Sequence, residues 1–149
     1  MASGSGADVR AGVLEKADLD RVASVKASFT ATAIDVGQAL QRADLSGLDR
    51  ECIQTIAQDL NQMGQELSGY ENLMKIETQL NSFSDESTTR DVVLYALDKA
   101  LLVLSAQRKR LAQPPDHCAN LPVSTGKAQS VLRVIEGTIV TLQAMRARL

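Results

Sequence analysis

Residues 53–74 read IQTIAQDLNQMGQELSGYENLM, and within them Ile53, Ile56, Leu60, Met63, Leu67, Tyr70 and Met74 recur in alternating steps of three and four. That spacing keeps one face of an α-helix apolar, whereas a half-buried strand alternates every second residue. Three further blocks repeat it. The first carries Val22, Val25, Phe29, Thr32, Val36, Ala39 and Ala43, and the third carries Leu94, Leu97, Leu101, Leu104 and Leu111. The fourth carries Ala128, Val131, Ile135, Ile139, Leu142, Met145 and Leu149. No segment alternates apolar and polar over a useful length, so the fold class is all-α.

Capping chemistry sets the boundaries. Ser46 can cap a second helix, with Asp49 and Glu51 in its first turn at the positive end of the helix dipole. Ser84, Asp85, Glu86 and Ser87 form a polar hinge before a third helix. Arg108, Lys109 and Arg110 suit the negative end of that helix, and Pro114-Pro115 forbids its continuation. Ser124 or Thr125, following Pro122, opens a fourth. The predicted helices span 10–44, 47–82, 86–112 and 124–148, each roughly 35–50 Å long at about 1.5 Å per residue. Short links favour antiparallel neighbours, which predicts an antiparallel, up-down-up-down four-helix bundle. Residues 8–149 then form a single domain. The Gly/Ser-rich residues 1–7 read as an added, flexible leader.

Composition narrows the function. The chain has 149 residues, a formal net charge of −2, 3% aromatic residues and no Trp. Nucleic-acid binders present a basic footprint and often stacking aromatics, so that class of partner is not expected. The most apolar stretch, Val92–Ala106, is interrupted by Asp98 and Lys99 and reads as a buried helix rather than a membrane span.

The predicted topology brings Cys52, early in the second helix, to the same end of the bundle as Cys118, in the loop after the third. A disulfide between them pins a Pro-rich loop and implies an oxidising compartment, periplasmic or secreted. With free thiols the chain is instead a cytoplasmic structural or adaptor bundle. A third possibility joins Cys52, Asp116, His117 and Cys118 as a metal site, but the paired short spacings usual for zinc are missing, so no metal is expected.

Catalysis has little to work with. His117 is the single histidine and lies in a loop; adjacent side chains usually point apart, which disfavours a Cys118–His117 nucleophilic pair. No CxxCH haem attachment and no paired Glu-x-x-His di-iron motif occur, and Met63, Met74 and Met145 fall on core stripes, so no cofactor is expected. Glu66, Glu71, Glu77 and Asp98 fall beside the stripes and read as solvated. Asp35 is the single charge between Ala27 and Leu40, which makes it a candidate buried acid able to bind a cationic group.

Gly37, Gly64, Gly69 and Gly137 lie inside predicted helices, where each costs about 1 kcal/mol against Ala and calls for close packing, a kink or a cavity. Gly64 and Gly137 fall at similar depth, which predicts a cavity between the second and fourth helices lined by Leu60, Met63, Gly64, Ile135, Gly137 and Ile139. Helices one and four are poor in charge and could pair across a two-fold axis as a homodimer. The expected function is a non-catalytic binding or interaction module outside the cytoplasm, taking a protein partner or a small apolar ligand. Both chain termini fall at the end of the bundle opposite the cysteines, which also suits a ligand-sensing ectodomain of a membrane receptor.

Overall fold

A computed structural model describes residues 14–79 and 86–149, at 76–79 and 86 the backbone only. The readings of residues 1–7 as a leader, of Ser84 and Asp85 as a cap, and of the Glu77 side chain lie outside the described residues. Among those residues are four α-helices and no strand: α1 at Lys16–Ala39, α2 at Gly47–Gln79, α3 at Glu86–Ala112 and α4 at Pro122–Arg148, with a 3-10 turn at Asp116–Cys118. The stretch quoted at the outset lies wholly inside α2, which runs unbroken through Ser68-Gly69.

Ion pairs record the helix directions. Lys26 Nζ is 3.2 Å from Glu71 Oε1, joining the first half of α1 to the second half of α2. The guanidinium of Arg110, near the end of α3, is 3.1 Å from Asp59, early in α2. Arg148 at the end of α4 pairs with Asp18 in the first turn of α1. Each pair joins opposite ends of neighbouring helices, so the bundle is up-down-up-down. Helix α1 touches α2 and α4, α3 touches the same two, and α2 also meets α4 across the diagonal.

Val36, Ile53, Val93, Ala96, Leu97, Leu104 and Ile135 are completely enclosed and form the centre of the core. The stripes on α1, α2 and α4 are the buried ones at most positions. On α3 the core line instead runs through Val93, Ala96, Leu97, Ala100 and Leu104, while Leu94 and Leu101 are only half-buried. Helix α3 packs between α2 and α4, so its inner line follows the bisector of two contacts rather than the row of largest side chains.

Boundaries moved for identifiable reasons. Helix α1 ends at Ala39, short of the expected 44, because Arg50 of α2 donates to the carbonyls of Leu40 and Arg42 and holds the chain in a turn. Helix α2 starts as expected: the Asp49 amide donates to Ser46 Oγ at 3.0 Å. Helix α4 starts at Pro122, since proline's fixed φ and missing N–H suit the first helical position. Its cap comes from neither Ser124 nor Thr125. Asp49 of α2 supplies it, accepting from the Ser124 amide at 2.9 Å.

The helices are staggered. Arg110 reaches Asp59 rather than the start of α2, so α2 overhangs the end of α3 by roughly 15 Å at 1.5 Å per residue. The segment 113–121 fills that step.

Candidate functional site

Among the described residues the bundle surface is indented in at least two places. The first is a groove of about 640 Å³ between α1 and α2. Val22, Val25, Phe29, Leu60, Leu67 and Met74 supply its apolar sides, and Ala100, Thr138 and Leu142 of α3 and α4 form its floor. The groove exists because the residues facing each other there are short. Ala33 on α1 and Gly64 and Ser68 on α2 leave the interhelical space unfilled, and a Cβ built on Gly64 meets nothing within 4 Å. One end is polar. The Glu71 carboxylate, only 5% exposed, forms ion pairs with Lys26 and Lys75, each Nζ at 3.2 Å.

The expected cavity between the second and fourth helices is therefore displaced. Leu60 and Gly64 border the observed groove, whereas Met63, Ile135 and Ile139 are packed in the core, and Gly137 faces outward with open space around it. Equal depth along the axis places residues in one layer but does not decide which pair of helices parts. Neither glycine serves close packing.

Asp35 is not a buried acid. It is exposed on α1 and accepts from Lys127 Nζ at 2.8 Å, because it follows Ile34 and precedes Val36 on a helix whose buried line passes through Val36. Among the described residues the buried acids are Asp18, Asp49 and Glu71. Glu71 was expected in solvent beside Tyr70. A strict seven-residue repeat drifts by about 20° per heptad on a straight helix, about 40° from Ile56 to Tyr70, so the inner face of α2 leans from Tyr70 toward Glu71 while Met74 on the stripe stays buried. Glu66 and Asp98 are exposed as expected, and Asp98 is paired with Arg146. Asp18 accepts from the Glu15 amide at 3.0 Å and from Arg21 at 3.1 Å, and Arg148 completes its shell. Its only sequence signal is the Glu15…Asp18 spacing of a helix start, hidden when the helix is begun at residue 10.

The second concavity, about 780 Å³, lies over the end of α3. Its lining includes Gln54, Gln58, Asp59, Arg110, Gln113 and Gln129, so it is more polar than the groove. Cys52 and Cys118 form a disulfide at its edge, with Cα atoms 6.0 Å apart. Cys52 is buried in α2, and Cys118 is held in the 3-10 turn by its amide, which donates to Pro115 O at 2.9 Å. The exposed His117 was not expected to approach a sulfur. Its ring nitrogen and both Sγ atoms lie within 4.8 Å of one another, because the tight turn brings the neighbouring side chains to the same side. Asp116 is not in that group.

Met63, Met74 and Met145 are buried core residues. On the two helices expected to pair in a homodimer, Ile34 and Val140 are exposed, and Ile34 borders the groove. Among the described residues no helix is long and apolar enough to cross a membrane. Comparison of the chain with protein-family models, with curated proteins and with solved structures finds no match in any of the three.

Proposed function

We propose that this chain is a non-catalytic binding module of an oxidising compartment, periplasmic or secreted, and that the groove between α1 and α2 receives a small apolar ligand. The groove itself carries the reading. Its volume of about 640 Å³ falls within the roughly 300–1,000 Å³ of pockets that bury a small molecule. Its lining is hydrocarbon for the most part, with Thr30, Asn61 and Gln65 among the apolar side chains and an ion pair at one end, the mixture usual for such pockets. The ligand's apolar body lies along Val22, Phe29, Leu60 and Leu142, and its polar end lies beside Lys26 and Glu71. Those two are the ionisable side chains of the lining, and they are paired with each other, Glu71 also with Lys75. Binding rather than proton transfer is what such a surface offers.

The compartment rests on the Cys52–Cys118 disulfide, since reducing cytosol keeps thiols free. A thiol count on protein acid-trapped from cells checks it, and two free thiols would remove the compartment.

Titration with N-phenyl-1-naphthylamine, a neutral dye that brightens on leaving water, tests the groove. Saturable one-to-one enhancement is expected, lost in Gly64→Leu while the circular dichroism is unchanged. A Cβ at this position meets nothing within 4 Å and Gly64 borders the groove, so the added side chain has the groove to occupy. Absence of saturable binding, or binding indifferent to Gly64→Leu, overturns the proposal.

A further inference from the structure

The arrangement of Cys52, His117 and Cys118 serves more than one chemical state. We infer that the reduced chain holds a zinc-class divalent cation at this triad, so that the disulfide and the metal are alternative occupants of one constellation. The inference does not depend on the groove.

Three observations carry it. The three donor atoms lie within 4.8 Å of one another. Tetrahedral zinc, with Zn–S near 2.3 Å and Zn–N near 2.0 Å, separates its donors by about 3.5–3.8 Å, so small side-chain rotations suffice. The backbone has support besides the S–S bond: Cys52 belongs to α2, and the 3-10 turn carrying His117 and Cys118 is closed by its own hydrogen bonds, Cys118 N–H to Pro115 O at 2.9 Å and Ala119 N–H to Asp116 O at 3.3 Å. The Thr125 hydroxyl, on α4, also donates to Ala119 O at 3.3 Å, tying the turn to a second helix. Finally, the triad lines the cleft of about 780 Å³ over the end of α3. That opening leaves a fourth coordination position to water or an incoming ligand, as in sites with three protein donors.

The chemistry balances. A dithiol reductant transfers two electrons and two protons to the disulfide and is itself oxidised to a disulfide. The two thiols then bind the cation as thiolates, releasing both protons to solvent, and neutral His117 coordinates through a ring nitrogen. Because binding releases protons, it tightens as pH rises. A small-molecule disulfide, by exchange with the two thiolates, accepts their two electrons, is reduced to thiols with protons from solvent, restores the S–S bond and so releases the cation.

The test uses the full chain, reduced anaerobically with a phosphine and titrated with Co²⁺, whose thiolate charge-transfer band in the near ultraviolet counts sulfur ligands. One equivalent of Co²⁺ with a two-thiolate band is expected, displaced by Zn²⁺, and no such band in the oxidised chain. His117→Ala, an exposed position that leaves the fold intact, is expected to keep the band but weaken affinity at least about ten-fold. Cys118→Ser should lose half the band. Cobalt affinity unchanged in His117→Ala overturns the inference. A reduced chain that takes up no cobalt overturns it equally, whether or not the loop has left α2.

Discussion

Asp49 Oδ1 accepts a hydrogen bond from the backbone amide of Ser124 at 2.9 Å, across 75 residues of chain. Helices α2 and α4 start side by side, so two positive helix ends meet at one pole. Asp49 occupies the first turn of α2, where its own amide is capped by Ser46, and its carboxylate satisfies an orphan amide of α4. One buried carboxylate therefore serves both helices. At the other pole Asp18 does comparable work, joining the start of α1 to Arg148 at the end of α4.

Asp49→Ala is expected to destabilise the fold by about 1–3 kcal/mol, the cost of leaving a buried amide without its acceptor and of losing a cap. Asp49→Asn keeps an acceptor oxygen and should recover part of that loss. Urea unfolding of the two variants beside wild type checks both, and equal stability of all three would mean the cap is idle.

Asp18 and Arg148 should be energetically coupled. A double-mutant cycle with Asp18→Ala and Arg148→Ala is expected to give an interaction of about 0.5–3 kcal/mol. A cycle closing to zero would mean that Arg21 and the Glu15 amide satisfy the carboxylate by themselves.

Gly137→Ala should stabilise the protein by about 0.5–1 kcal/mol, because glycine in a helix interior costs chain entropy and an added Cβ at residue 137 meets nothing within 4 Å. Thermal unfolding measures it. A lower midpoint would mean that this part of α4 depends on glycine.

Removing the disulfide through Cys52→Ser with Cys118→Ser should lower stability by about 4 kcal/mol in the chain-entropy model, since the bridge spans a sequence separation of 66. Hydrogen exchange should rise most in 113–121, which the bridge holds against α2.

Arg42 beside Asp44 holds that carboxyl below its ordinary 3.8, chiefly through the hydrogen bond from the guanidinium. A depressed carboxylate pKa contributes stability that is present above the unfolded value and lost as pH falls through the folded one. Nuclear magnetic resonance titration should therefore place Asp44 below 3.8 in wild type and raise it in Arg42→Ala. Both groups are in solvent, so global stability should change little.

The sequence by itself determined four helices, their order, their antiparallel course and the meeting of Cys52 with Cys118. Each follows from local periodicity, capping residues and short links, which are properties of consecutive residues. Tertiary packing decided what periodicity cannot express. The roughly 15 Å overhang of α2 beyond α3 depends on how helices slide along one another, and the groove at Gly64 depends on which of two neighbours a small residue faces. The burial of Glu71 depends on its ion pairs with Lys26 and Lys75, and the mismatch between a seven-residue repeat and 3.6 residues per turn turns the inner face only part of the way toward it. The Asp49–Ser124 cap and the approach of His117 to both sulfurs require the three-dimensional register of distant segments, because the partners share no local pattern in the chain.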